Sequence, residues 1–151
     1  MKLVDSFLRA ILTAAHHLMK ASWFLSRPRT AGAHAIAFTP GRKLILVKLR
    51  YAAGWRLPGG GCRPDENPED AVLRELREEI GMVSHGPLLL ARQFNQRVHF
   101  KKDLSSLFIV EDVVYRPRWS WEVEKVSEAP LDHLPADLAP VARSWIEGVQ
   151  R

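Results

Sequence analysis

Apolar residues recur at helical spacing in the first part of the chain. Over residues 3–25 they fall three or four positions apart, which predicts an amphipathic helix. Charged residues and histidines interrupt every apolar run, so neither a membrane span nor a signal peptide is expected. Two environments fit this helix. It packs on its own domain or on a second copy of the chain, or it lies on a membrane surface with Lys2, Arg9 and Lys20 facing lipid phosphates.

After residue 30 the pattern changes to short β-prone runs and two further helices. Runs over 33–38 and 44–49 flank a Pro40-Gly41 turn and predict a hairpin. Strands on both sides of a central helix favour an α/β or α+β layer architecture with a mixed sheet. The other predicted elements are a Gly/Pro-rich loop over 54–67, a helix over 68–80 ended by Gly81, strands at 88–94, 107–114 and 122–126, and a helix over 138–149.

Charge is distributed unevenly along the chain. The 151 residues have a formal net charge of +5, but residues 1–57 carry ten basic side chains and one acidic one, whereas residues 58–82 carry three basic and seven acidic ones. The first segment is typical of nucleic-acid or membrane-surface binding, and the second is typical of a cation site. A single cysteine cannot form an internal disulfide, so a reducing, cytoplasmic location is expected.

The helix predicted over 68–80 carries three carboxylates on one face. At about 100° per residue, Glu75 and Glu79 lie about 40° apart, with Glu78 about 60° from Glu75 on the other side. Arg74 can pair with Glu78 one turn later, which leaves Glu75 and Glu79 without a compensating charge. Oxygen ligands on a rigid helix suit Mg²⁺ or Mn²⁺. The alternative is a solvated acidic face.

A glycine triplet, Gly59 to Gly61, precedes this helix and would let the backbone approach a ligand closely. Gly60, five residues, Glu66, seven residues and then Arg74-Glu75-Leu76-Arg77-Glu78-Glu79-Ile80-Gly81-Met82 resemble the signature of the Nudix hydrolase family at every fixed position. The resemblance covers about residues 31–149. It implies an alpha-beta-alpha sandwich with a mixed central β-sheet in residues 30–151, and it leaves residues 1–29 as an additional helix and linker.

The resemblance also implies an activity. It is the Mg²⁺-dependent hydrolysis, by metal-activated water, of the pyrophosphate bond in a nucleoside diphosphate linked to another group. Mn²⁺ is an alternative ion, the substrate is a small-molecule nucleotide, and no nucleic acid is required. A nucleotide-binding regulatory module with the same fold and little turnover is the alternative, although every carboxylate of the signature is present.

Site roles follow from the resemblance by position. Glu75, Glu79 and the Gly59 carbonyl correspond to metal ligands, and Glu66 to a supporting acid. Glu78 corresponds to a further ligand or to a group that orients the site through Arg74. Glu122 is the favoured general base among the acids of a downstream segment. Arg50, Arg56 and Gly60 are candidates to contact the substrate.

Overall fold

The computed structural model describes the backbone of residues 2–26, 29–98 and 101–150 and the side chains of residues 4–20, 30–95 and 103–150. The helices are α1 (Lys2–Ser26), α2 (Pro68–Ile80) and α3 (Pro140–Gln150). The strands are β1 (Arg29–Ala37), β2 (Leu44–Leu49), β3 (Trp55–Arg56), β4 (Gly59–Gly61), β5 (Met82–Ser84), β6 (Leu88–Val98), β7 (Lys101–Val110), β8 (Val114–Tyr115) and β9 (Val123–Ala129).

The strands form three small sheets. Their orders are β4-β1-β7-β6, β3-β2-β9 and β5-β8. Strand β1 runs parallel to β7, whereas the other pairings are antiparallel. The predicted α+β architecture with a mixed sheet is therefore confirmed.

The two central strands bury side chains on both of their faces. In β1, Ala33 and Ala35 belong to the same core cluster as α2, whereas Ile36 belongs to the cluster that contains α3. Strand β2 divides in the same way, with Ile45 on the α2 side and Leu44 on the α3 side. Because successive strand residues point to opposite faces, the strands separate two helical layers. The result is an alpha-beta-alpha sandwich.

The predicted hairpin between β1 and β2 is wrong, although both strands exist. They share one isolated bridge, Phe38 to Leu44, and then enter different sheets. Both are buried on two faces, so each takes a central position with a partner on either side. The predicted strand over 107–114 is also divided, because Asp112 adopts a positive φ of 51° between β7 and β8.

The helix α1 contacts the domain through its polar side. Asp5 pairs with Arg50 at 3.0 Å and Arg9 with Glu124 at 2.7 Å. Arg9 binds Glu124 and Lys20 lines a cavity of the domain, so the helix packs on its own domain. The predicted contacts with a membrane surface or with a second copy of the chain stay predictions. The Lys2 side chain lies outside the described residues. Exposed apolar side chains of α1 are Val4, Phe7, Ile11, Leu18 and Met19.

In the described part of the chain, no helix combines the length and the apolar character needed to cross a membrane.

Candidate active site

Local signals fix both ends of α2. The Asn67 side chain accepts a hydrogen bond from the Asp70 backbone N–H at 2.9 Å, and Pro68 occupies the first turn, where its missing N–H costs nothing. Gly81 ends the helix at φ 71°, and a Cβ there would lie 2.0 Å from the Arg116 carbonyl oxygen. Because both ends of the helix are fixed, the glutamates of α2 are held in fixed positions relative to the sheet.

Arg74 organises the acidic cluster. Its Nε and Nη2 donate to the two Glu66 oxygens at 2.8 and 3.0 Å, and Nη2 also donates to the Gly61 carbonyl at 2.9 Å. Its Nη1 donates to Glu75 at 2.8 Å and to Glu78 at 3.2 Å. The hydrogen bond from Arg74 lowers the pKa of Glu66 to about 2. One guanidinium thus uses its five N–H donors to position three carboxylates and a backbone carbonyl of β4.

The sequence predicted that neither Glu75 nor Glu79 has a compensating positive charge. This prediction is wrong for Glu75. Arg74 pairs with Glu75 as well as with Glu78, because its Nη1 lies within hydrogen-bond distance of both carboxylates. Glu79 is 7% exposed and has no ion pair with any described residue. Its Oε2 accepts a hydrogen bond from the Gly59 N–H at 2.8 Å. Burial raises the pKa of Glu79 well above its ordinary value and also raises the pKa of Glu75. Glu79 is thus the carboxylate whose charge most requires a cation.

The glycines of β4 bring the main chain against these carboxylates. Gly59 has a φ of 146°, and a Cβ there would lie 2.4 Å from the Ala33 carbonyl oxygen of β1. A Cβ on Gly60 would lie 2.7 Å from Glu75 Oε1. Side chains at either position would therefore displace the strand or the carboxylate.

Two other predicted acids lie at the edge of the cluster. Glu78 has a side chain 52% exposed and pairs with Arg63 at 3.4 Å as well as with Arg74. Glu122 is exposed just before β9. Burial, and then the charge of Glu122, raises the pKa of Tyr51 to about 12, and the same charge contributes to the raised pKa of Glu79. The Glu122 carboxylate therefore lies close enough to the site for its charge to act on both groups.

A cavity of about 670 Å³ adjoins the cluster. Glu79, Gly60 and Arg56 line it, and Arg56 Nε is buried without a hydrogen-bond partner. Arg50 does not line the cavity. Its guanidinium donates to Asp5 at 3.0 Å and to a backbone carbonyl at 3.4 Å, and its side chain is 8% exposed. The structure therefore corrects the predicted role of Arg50 in substrate binding, because this cation is already used to hold α1.

Sequence reasoning missed several residues of the cavity. His34 packs on Trp145 with ring centroids 4.8 Å apart, and its Nδ1 is buried without a hydrogen-bond partner. Burial lowers the pKa of His34 to about 4. Asp103 accepts hydrogen bonds from Thr30 and Ser105 at 2.6 and 2.7 Å. These residues come from distant parts of the chain and have no shared spacing, so no local signal identifies them.

The acidic end of the cavity can offer oxygen ligands to a hard cation. Among the described side chains, no three of His, Cys, Asp and Glu lie close enough to bind a metal ion by themselves. Mg²⁺ usually uses one or two carboxylates, with waters and substrate phosphates as its other ligands. Glu75, Glu79 and the adjacent Gly59 carbonyl suit that requirement, whereas a soft metal would need sulfur ligands.

Comparisons with known proteins identify relatives in sequence and in fold. A MutT protein from Methanosarcina mazei Go1 is 28% identical, with a TM-score of 0.70 over 83% of this chain and 95% of that chain. An RNA pyrophosphohydrolase from Pseudomonas putida is 61% identical over 37 residues, which are 24% of this chain and 23% of that protein. A putative 8-oxo-dGTP diphosphatase from Bacillus subtilis is 40% identical over 52 residues, 34% of this chain and 35% of that protein.

The aligned segments thus span about a quarter to a third of the curated relatives. The family match is much longer, because the NUDIX domain matches residues 28–149. It includes α2, the β4 glycines and both central strands, and it leaves only α1 and the chain ends outside. The chain therefore belongs to the Nudix hydrolase family.

Proposed function

We propose that this protein hydrolyses the pyrophosphate bond of a small-molecule nucleoside diphosphate derivative and uses Mg²⁺. The observation that carries the proposal is the buried Glu79 carboxylate, which lines the cavity without a cationic partner among the described residues. Glu75 and the β4 backbone adjoin it. The two curated relatives are named for hydrolysis of the same class of bond, which supports the reaction type.

The protein's part is to hold its oxygen ligands in fixed positions. Glu75, Glu79 and the Gly59 carbonyl would hold the ion, with Mn²⁺ as a substitute that takes the same ligands. When bound, the ion supplies neutralising charge for the diphosphate oxygens and lowers the pKa of a bound water. Arg74 fixes Glu75 through its 2.8 Å hydrogen bond, and Glu66 in turn fixes Arg74. Glu78 acts through Arg74, because its carboxylate is held on the outer side of the cluster.

Glu122 is our proposed general base. It carries no ion pair with a described basic residue, it is exposed to water, and its charge acts on Glu79 and Tyr51. A carboxylate in that environment can accept the proton of the attacking water.

The cavity favours a small-molecule substrate. Its volume of about 670 Å³ lies in the range of roughly 300–1,000 Å³ that is typical of small-ligand pockets. Arg56 lines it and offers a buried N–H donor without a partner, which suits an anionic oxygen. A nucleoside diphosphate derivative provides such oxygens.

The test is release of phosphate or nucleoside monophosphate from a panel of nucleoside triphosphates, nucleotide sugars and dinucleotides in Mg²⁺. We expect Glu79→Gln to lower kcat/KM by more than about a hundredfold, since even an outer partner of a metal ligand contributes about 10- to 100-fold. Glu69→Gln, an exposed change in the first turn of the same helix, is the control. Equal rates for wild type and Glu79→Gln would refute the assigned role of Glu79.

The panel also separates an enzyme from a regulatory module. If the wild-type chain binds nucleotides of the panel in Mg²⁺ and releases no product from any of them, the module with little turnover is the better account.

A further inference from the structure

The helix α1 lies outside the matched residues 28–149 and yet forms part of the active-site cavity. Its residues His16 and Lys20 line the same cavity as Glu79 and Arg56. The helix is therefore adjacent to the chemistry that we propose, although the family match does not include it.

Polar contacts orient this helix on the domain. Asp5 binds the buried Arg50 guanidinium, and Arg9 binds Glu124. One turn before Lys20, the His16 ring lies against Tyr51, with centroids 5.1 Å apart and planes tilted by 32°. The helix thus contacts the domain at three levels along its length. This arrangement turns its polar side inward and directs Lys20 to the cavity.

Two basic side chains that line the cavity, Lys20 and Arg56, have no direct acidic partner among the described residues. Neither Lys20 nor Arg56 forms an ion pair with an acidic residue in the described part of the chain, and Arg56 Nε has no hydrogen-bond partner. Burial, then the charges of Lys20, His17 and Arg56, lowers the pKa of His16, so both cations act on one ring. Two such cations in one cavity repel each other unless an anion lies between them.

Two acids line the same cavity, Glu79 and Asp103, and neither forms an ion pair with Lys20 or Arg56 in the described part of the chain. Glu79 is the proposed metal ligand. Asp103 also lines the cavity, but its two oxygens accept hydrogen bonds from Thr30 and Ser105. An external anion with several acceptor oxygens would satisfy Lys20 and Arg56 together.

We propose that α1 is a wall of the substrate cavity and that Lys20, together with Arg56, binds a phosphate of the substrate other than the diphosphate bond that is hydrolysed. This inference rests on the proposed function in one respect, since it calls the ligand a substrate. The substrate class is then a nucleoside diphosphate derivative that carries an additional phosphate, on its sugar or at the end of its phosphate chain.

The experiment measures equilibrium binding by calorimetry to the full-length protein in Mg²⁺. The probes are α,β-methylene-ADP and three analogues that add one phosphate to it, at the 5′ chain, the 2′ oxygen or the 3′ oxygen. We expect at least one analogue to bind about 10- to 100-fold more tightly than α,β-methylene-ADP, the value of one charge-assisted hydrogen bond. The 5′-chain analogue also carries a methylene group between its β and γ phosphorus atoms, so no probe contains a P–O–P bond and the measurement does not depend on turnover.

Variants identify the group responsible for the gain. Lys20→Gln should reduce the ratio of the two affinities to near one, whereas Lys20→Arg should keep most of it, because the charge remains. Lys43→Gln removes the same charge from an exposed turn and should keep the full ratio. Thermal unfolding of each variant checks that it is folded.

Three results would overturn the proposal. The first is that the additional phosphate does not increase the affinity of wild type for any of the analogues. The second is that the increase in affinity remains in Lys20→Gln. The third is that Lys43→Gln loses as much of the increase as Lys20→Gln, which would indicate a long-range electrostatic effect of the net charge. A Lys20-dependent gain in a protein that hydrolyses no nucleotide would refute the proposed function and leave the phosphate subsite standing.

Discussion

Gly60 is the position where one added methyl group tests the geometry of the site most directly. Its φ is not in the left-handed region, so alanine is compatible with the backbone there. The new Cβ would lie 2.7 Å from Glu75 Oε1, compared with about 3.4 Å for an ordinary contact. The carboxylate must therefore move by about 0.7 Å. It cannot move freely, because Arg74 holds the same oxygen at 2.8 Å.

The expected cost differs for activity and for stability. A displacement near 1 Å in a reacting site costs about 100-fold in rate, so Gly60→Ala should lower kcat/KM by about 10- to 100-fold. Overpacking costs roughly 1–3 kcal/mol, while replacement of glycine restricts the unfolded chain and returns about 0.4–1 kcal/mol. The net loss in the free energy of unfolding should then be about 1 kcal/mol, too small to unfold the protein.

Steady-state hydrolysis and urea unfolding measure these two quantities. Gly61→Ala is the matched control, because its Cβ would meet nothing closer than 4.0 Å and should cost much less activity. If Gly60→Ala retains kcat/KM within threefold of wild type, or if Gly61→Ala loses as much, the steric account of Glu75 positioning is wrong.

Three other changes test separate parts of the site. Arg74→Lys keeps the charge but loses the planar fork, so the free energy of unfolding should fall by about 2 kcal/mol and kcat/KM by about 10- to 100-fold. The control Arg77→Lys, an exposed change on the same helix, should alter neither quantity. Equal effects of the two changes would contradict the role of Arg74 in positioning the carboxylates. Burial holds the pKa of His34 at about 4 in the folded protein, against 6.5 in the unfolded chain. The unfolded state therefore takes up the proton first as pH falls. The free energy of unfolding of wild type should fall by about 2 kcal/mol from this group between pH 7 and pH 5. Urea titrations without divalent ions should show this loss removed in His34→Gln and kept in His133→Gln, an exposed control, and an unchanged slope in His34→Gln would refute it. Mg²⁺ at one hundred times its Kd should raise the free energy of unfolding of wild type by about 2.7 kcal/mol, reversibly with EDTA, and a Glu79→Gln protein that gains as much would exclude Glu79 as a ligand.

The sequence by itself determined the features that depend on neighbours along the chain. Asn67, Pro68 and Gly81 set the ends of α2 through local capping, and the observed helix has the predicted bounds. The helical period brought Glu75, Glu78 and Glu79 to one side of the helix, and the structure buries Val72 and Leu76 of the same helix in the core. Spacing within one segment also carried the resemblance to the family, which the NUDIX match confirmed.

Pairing between distant segments was decided only by the tertiary structure. Hydrophobic runs predicted the strands β1 and β2, but such a run does not specify which strand it pairs with. The predicted hairpin is therefore wrong, and the two strands lie at the centres of different sheets. Likewise, a basic residue in a sequence does not show which anion it meets. In the folded chain Arg50 forms an ion pair with Asp5 of α1, whereas Arg56 lines the cavity.

The charges of the site follow the same division. Sequence spacing brought Glu75, Glu78 and Glu79 together, but burial selected Glu79 as the carboxylate without a cation, and the reach of Arg74 selected Glu75 as its partner. Lys20 reached the cavity because the polar side of α1 docks on the domain. Local spacing fixes which groups share one element, whereas the free energy of a buried charge depends on every element packed around it, and only the folded chain brings those elements together.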